Sequence, residues 1–336
     1  MKQIFKKGFF IQLLFSIHSI LFAQERYINT TTADALSIQS RILLVGLEEE
    51  TQEYLALYKN DADNLARYKN FIAGKNLILK RAITDRWKYN TQIQYLPLSE
   101  AKKLMKEQKD IYALLQYAGE WGEDAFIIDA QPEYRNSITG WKRKGDSLVY
   151  NVNSRYAMSN QVVSSLLITL PKKVIEVMFP NMYPSEGDLL YAVERMQYSL
   201  KYVSNPGASI NSMLQHLCDV APELKQKTLL IDMNTIMPGT TQAEMAKAYP
   251  FPFKAVQYNM IEKALIEKDE QYAVLTVYNE SQSSGVHVIS NAADGKVYFS
   301  KNFTAFDSPQ HMEMLSYFYP HRITPADMSI YSTCIK

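Results

Sequence analysis

Two stretches of this chain set out apolar and polar residues in the same order. Trp87–Tyr117 runs from an aromatic–Lys pair through Ile93-Gln94-Tyr95, a Glu/Lys-rich segment and Lys109-Asp110 to Tyr112-Ala113-Leu114-Leu115. Phe251–Tyr278 does the same through Phe253-Lys254, Val256-Gln257-Tyr258, a second Glu/Lys segment, Lys268-Asp269 and Tyr272-Ala273-Val274-Leu275. Alternation on either side of a helical period predicts strand–helix–strand in each. Self-similarity of this kind predicts one supersecondary unit folded twice.

The same reading extends outward. The apolar run Ile42–Val45, ending at Gly46, and its match Thr228–Ile231 predict a buried first strand for each copy. Glu48–Trp87 is helical in pattern, with Leu65, Tyr68 and Ile72 and then Leu79, Ile83 and Trp87 on one face; Asn60, Asp61 and Asp63 are cap candidates that leave one helix or two. Ser99 is the expected cap of the helix begun by Lys102–Leu104. Each copy is expected to end in an antiparallel hairpin. The first has arms Ala125–Ile128 and Leu148–Val152 with a turn in Gly140–Gly145; the second has arms Val286–Ile289 and Val297–Phe299. Asp294-Gly295 suits the second turn because Gly adopts positive φ without steric cost. Between the copies, Val163, Leu166, Leu167, Leu170, Val174 and Val177, then Leu189–Val203 and Ile210–Leu224, predict helices parted by Pro180, Pro184 and Asn205-Pro206-Gly207. The expected fold class is α/β, with α+β as the alternative. Two related domains, 38–153 and 227–320, each of strand–helix–strand–helix–strand plus a hairpin, flank a helical middle region, 154–226, with a tail at 321–336.

The amino end changes the picture of where the chain resides. Lys2, Lys6 and Lys7 precede the apolar run Phe9–Phe22, and Ala23 precedes Gln24, the layout of an export signal over residues 1–23. The run is short for a membrane span, which needs ~20 apolar residues. The polar, Thr-rich residues 24–37 then read as a linker. The chain carries 36 Lys+Arg and 35 Asp+Glu, and loss of the three leader lysines leaves it slightly acidic. That balance excludes the basic footprint of a nucleic-acid binder. Cys218 lies in the apolar-periodic run Met213–Val220 and is expected to be a buried free thiol, Cys334 to sit on a mobile end; export also permits a disulfide between them.

The order of elements, with Gln94-Tyr95 before the helix, Tyr272-Ala273-Val274-Leu275 after it and the Asp294-Gly295-Lys296-Val297 hairpin, resembles the small periplasmic α/β domains of the CsgG and TolB amino-domain type. The resemblance implies that fold and an envelope compartment. It implies protein contacts rather than catalysis, and the long inserts here depart from it.

Recognised catalytic patterns are missing: the sequence holds no G-x-S-x-G elbow, no phosphate-binding loop and no H-E-x-x-H. No metal or cofactor is expected. Carboxylates follow the first strand of each copy, Glu48 to Glu50 and Asp232, at the strand ends where open α/β sheets hold ligands. Glu49 and Asp232 are therefore candidate acid–base groups, although acids at such positions also serve the helix dipole. Trp121 and Trp141 bracket the first hairpin with Tyr134 between them; these aromatics either grip a partner or sugar or pack across strands. The leading expectation is an exported, non-catalytic binding or adaptor protein of the bacterial cell envelope. Its expected partner is an envelope protein or an extracellular glycan, with Trp121, Tyr134, Trp141, Glu49 and Asp232 as candidate binding residues. The alternative is an exported hydrolase of glycan or peptide using Glu49 and Asp232.

Overall fold

The computed structural model of the chain describes residues 30–118, 141–144, 147–150, 165–180, 184–208, 210–281, 284–304 and 322–335. In chain order the first unit contains α1 (Thr32–Ser40), β1 (Ile42–Leu47), α2 (Gln52–Leu57), α3 (Ala62–Arg86), β2 (Ile93–Pro97), α4 (Leu98–Glu107), β3 (Tyr112–Ala118), β4 (Trp141–Lys144), β5 (Ser147–Tyr150), β6 (Ser165–Leu170), β7 (Lys173–Met178) and α5 (Glu186–Val203). The second contains α6 (Ile210–Val220), β8 (Thr228–Asp232), α7 (Gln242–Ala248), β9 (Phe253–Val256), α8 (Tyr258–Glu267), β10 (Tyr272–Ser281), β11 (Ser284–Asn291), β12 (Val297–Thr304) and α9 (Pro325–Tyr331).

The fold is α/β, and its two units are copies of one design. One sheet has the order β2-β1-β3-β6-β7, the other β9-β8-β10-β11-β12. In each, the first three strands are parallel and the last two antiparallel. The registers coincide: Leu43 faces Ile93 as Leu229 faces Phe253, and Ile42 faces Tyr112 as Thr228 faces Tyr272. Ile93 to Phe253 and Tyr112 to Tyr272 are both steps of 160 residues. The match of Gln94-Tyr95 to Gln257-Tyr258 is corrected by this register: the first pair is inside β2, whereas Gln257 caps α8 and Tyr258 opens it.

Three further expectations are corrected. The stretch expected to open a helical middle holds β6 and β7, the hairpin of the first sheet. Leu166, Ile168, Leu170, Ile175 and Val177 alternate into the core while Leu167, Thr169 and Val174 face away. A continuous apolar run reads at either period, so the sequence left strand and helix unresolved there. The arm Ala125–Ile128 lies outside the described residues; β5 pairs instead with β4, inside the expected turn, as a separate two-stranded ribbon. The expected linker holds α1, started by a capping box in which Thr31 and Asp34 satisfy each other's backbone N–H.

The expected tail, 321–336, holds α9, with a capping box between Thr324 and Asp327; the other helices stand as expected. In the second unit the hairpin turn is at Gly295, with φ of +69°. A β-carbon there would lie 2.7 Å from backbone atoms of Glu194 and Arg195, so this turn needs glycine for both φ and space.

Helix α5 joins the units. Leu189, Val193, Met196 and Leu200 complete the core of the first sheet with α1 and α3, while Tyr191 packs into a core of the second with α6 and α8. Such burial contributes about 1.5–3 kcal/mol per large apolar side chain. The seam also buries polar groups. Arg195 donates to Tyr191 at 3.1 Å and to Tyr278 at 3.2 Å, and Tyr191 shares a hydrogen bond with Thr276 at 2.9 Å. Glu194 lies 3.6 Å from Arg86 and 3.2 Å from Lys268, and Arg86 also donates to the carbonyl of Ile266 at 2.8 Å. Burial pushes the Glu194 carboxyl up to about 7 against the pull of Arg86.

Cys218 and Cys334 form a disulfide, which corrects the expectation of a free thiol and a mobile end. The end is not loose, because Met328, Tyr331 and Ile335 fill the second unit's core and bring Cys334 beside α6.

Candidate functional site

Superposing one unit on the other in register isolates what only the first possesses. Between its first two parallel strands the second unit has the seven-residue α7, where the first has α2 and the 25-residue α3. Residues 282–283 separate β10 from β11, whereas 119–164 separate β3 from β6. Both additions arise at one place. β1 ends into α2, and β3 ends at Ala118, which pairs with Ser165 at the start of β6. This is the carboxyl edge of the parallel strands, where open α/β sheets bind ligands.

At ~1.5 Å per helical residue and ~3.3 Å per strand residue, α3 is roughly twice as long as β1. Its first half overhangs the carboxyl edge, and α2 packs on it. Tyr58, Tyr68 and Ile72 form the buried part of this contact, with Tyr54, Leu55, Leu65 and Phe71 around them. Tyr54 stacks near Tyr58 with ring centroids 6.3 Å apart, and lies 5.1 Å from Tyr68. Thr51 starts α2 by accepting from the N–H of Tyr54, and its own N–H donates to the Tyr68 hydroxyl at 2.7 Å.

Lys75 stands where this aromatic group meets the sheet. It continues the core stripe of Tyr68, Ile72 and Leu79, yet it is a lysine and only 8% exposed. Its ammonium lies 3.9 Å from Glu48, 4.6 Å from the ring centroid of Tyr117 and 5.5 Å from that of Phe71. Burial, opposed by Glu48, pulls its pKa down to about 8. Burial likewise pushes the Tyr117 hydroxyl up.

The acids that follow β1 each have a local partner. The Asn76 side-chain amide bonds both the N–H and the carbonyl of Glu48, at 2.9 Å each. Glu49 accepts from the Ser99 N–H at 2.7 Å and from its hydroxyl at 3.1 Å. It thereby caps α4, whose own N-cap residue, Pro97, makes no side-chain cap bond. Ser99 was the expected cap; it sits one residue inside the helix and is a donor to Glu49 instead. Glu50 lies 3.8 Å from Lys69. Asp232, at the end of β8, accepts from the Asn234 N–H at 3.0 Å and starts the 3₁₀ turn Met233–Thr235. Glu49 and Asp232 thus stand at strand ends in different sheets, Glu49 engaged with Ser99 at the start of α4 and Asp232 with the backbone of its own turn.

Trp121 and Tyr134 lie outside the described residues. Trp141 opens β4, opposite Tyr150 of β5. Among the described residues, no group of three or more His, Cys, Asp and Glu is placed to hold a metal ion. His287 is buried against Phe303 and bonded to Tyr331, and His216 is 2.7 Å from the Tyr198 hydroxyl.

The edge therefore encloses the Lys75 ammonium among Glu48, Tyr117 and Phe71, and leaves the half-buried rings of Tyr54 and Phe71 as the part of the group that a partner could stack on. Sequence reading placed Tyr68 on a helix face but missed Tyr54, Tyr58, Phe71 and Lys75. Their signal is the excess length of one copy over the other, together with a lysine on an apolar stripe. Comparison of the chain with protein-family models, curated proteins and solved structures gives no match.

Proposed function

We propose that this chain is an exported, non-catalytic adaptor of the bacterial cell envelope that holds an envelope protein at the carboxyl edge of its first sheet. The observation that carries this reading is the placement of both first-unit additions on that edge. The second half of α3 serves the first unit's core through Leu79, Ala82 and Ile83, but α2, the overhanging first half of α3 and the 119–164 insertion have no counterpart in the second copy and are free to serve binding. Two of the chain's three tryptophans, Trp121 and Trp141, belong to one of these additions, and aromatics buried by a partner dominate the energetics of protein contacts.

Export is supported by the apolar leader and by the Cys218–Cys334 disulfide, since disulfides persist in oxidising compartments. Among the described residues no helix is long and apolar enough to cross a membrane. The hydrolase reading loses support because Glu49 spends both oxygens on Ser99 and Asp232 is committed to a turn, leaving neither placed as an acid–base pair.

The test is in-cell crosslinking of the tagged full chain followed by mass spectrometry, run beside a Trp121→Ala/Trp141→Ala variant and a Tyr54→Ala variant. One dominant envelope protein, lost in both variants while their melting temperatures hold, is the expected result. Crosslinks to no protein, with retention on immobilised cell-wall polysaccharide, would replace the protein partner with a glycan.

A further inference from the structure

Within the α2–α3 addition the chain repeats itself again, at a period of ten residues. Leu55-Ala56-Leu57-Tyr58-Lys59-Asn60 is followed by Leu65-Ala66-Arg67-Tyr68-Lys69-Asn70, identical but for Leu57 against Arg67. The caps repeat too: Thr51 accepts from the N–H of Tyr54, and Asp61 accepts from the N–H of Asn64. Burial follows the sequence. Tyr58 and Tyr68 are buried, and the Lys-Asn pair after each is exposed. The two copies pack on each other through these tyrosines, with Tyr54 at 5.1 Å from Tyr68. The start of α3 therefore holds a near-copy of itself, the condition for a contact that two identical chains can share symmetrically.

Helix α2 is lightly held. None of its own six residues is buried, and Leu57 is 51% exposed. Tyr58–Asp61 turns the chain back, and Lys59, Asn60 and Asp61 are exposed. The pattern beneath the bend is that of one continuous helix. In α3, Tyr68, Ile72, Lys75 and Leu79 follow one another at steps of three and four residues on the buried side. The same steps run backwards through Leu65, Asp61, Tyr58 and Tyr54. Asp61 alone breaks this stripe, and it does so as the cap of α3: its carboxylate accepts from the N–H of Asn64 at 3.1 Å and from its side-chain amide at 2.7 Å. Straightened, residues 52–86 form a single helix whose stripe has lost α2 as its cover. Tyr54 and Tyr68 stand seven residues to either side of Asp61, so two such helices crossing antiparallel at Asp61 set Tyr54 of one beside Tyr68 of the other.

We infer that two copies of this chain exchange α2: the bend at Tyr58–Asp61 straightens, and α2 of each copy covers Tyr68 and Ile72 of the other. Exchange of an element between identical chains reuses contacts that one chain already makes, so its cost is low. The inference rests on these two helices alone, whatever protein the edge holds, and is tested on the purified chain with no partner added.

Sedimentation equilibrium of the chain from Gln24 onward, over about a hundredfold range of concentration, reads the association. The expected result is a monomer–dimer equilibrium in the wild type. Asp61→Leu removes the cap and completes the stripe; it should tighten dimerisation at least about tenfold, since two caps that favour the bend are lost per dimer. Ala62→Pro should abolish the dimer at an unchanged melting temperature. Proline suits the first position of α3, and Asp61 before it is already non-helical, with φ of −126° and ψ of 89°, but inside a continuous helix the ring would meet the carbonyl of Tyr58. A wild type that stays monomeric throughout, a folded Asp61→Leu variant that dimerises no more tightly, or a dimer that survives Ala62→Pro overturns the inference.

Discussion

Lys75 shows how much a single residue can set against the fold that holds it. Its pKa of about 8 in the folded chain lies below the 10.5 of an exposed lysine. Between those values the unfolded chain holds more protons than the folded one, so stability rises as pH rises through that window; below pH 8 the full penalty remains. The shift corresponds to about 3.5 kcal/mol at most, at ~1.4 kcal/mol per pH unit. Urea unfolding at pH 7 and pH 9.5 should show wild-type stability increasing with pH and a Lys75→Met variant losing that increase. The gain from Met at pH 7 will be smaller than the whole penalty, because Glu48 is left without its ammonium. If wild type and variant show the same pH slope, Lys75 is not the source. Among candidate residues, the sequence made the acids legible by position, but it concealed their duties. Nothing local in Glu49 announces a bond to Ser99, fifty residues away.

Elements were legible where one period dominated. The first strands, α5, α8 and the second hairpin follow from alternation, helical spacing and an Asp-Gly turn, and all are found where the patterns place them. Pattern reading failed where an element takes its identity from a neighbour. β6 and β7 are apolar on both faces near their turn, and only pairing with β3 makes them strands. α1 is polar in sequence and is held by two buried residues, Ala35 and Ile38. The β11–β12 turn illustrates the same dependence. Gly295→Ala must accept positive φ and also displace the α5 backbone, so it should cost more than the ~1 kcal/mol of the conformational term alone. Denaturant unfolding that gives a loss of about 2 kcal/mol or more is expected; a loss under 1 kcal/mol would mean that α5 and the turn are not in close contact.

At the scale of the whole molecule, the disulfide and the shared helix hold what the two sheets cannot. The bond spans 116 residues, a loop for which unfolded-chain entropy sets a ceiling of about 5 kcal/mol. Cys218→Ser/Cys334→Ser should therefore lower the melting temperature of the second unit. α9 should stay docked, since Met328, Tyr331 and Ile335 remain buried without the bond. Hydrogen exchange that leaves α9 protected in the variant is the expected outcome; full exchange of α9 in the variant, at conditions where the native chain protects it, would show that the bond, rather than the packing, keeps it in place.

Helix α5 has a further consequence. From Gly187 to Val193 every residue is buried, because one side of the helix belongs to the first sheet and the other to the second. When a duplicated segment keeps its halves apart, each is free to drift. Here the last helix of the first half became the floor on which the second was built, so substitutions along it answer to two cores at once. Divergence between the halves should have accumulated in the additions at the sheet edge and spared these roughly two turns of α5, and a saturation scan for folded protein should find its lowest tolerance there.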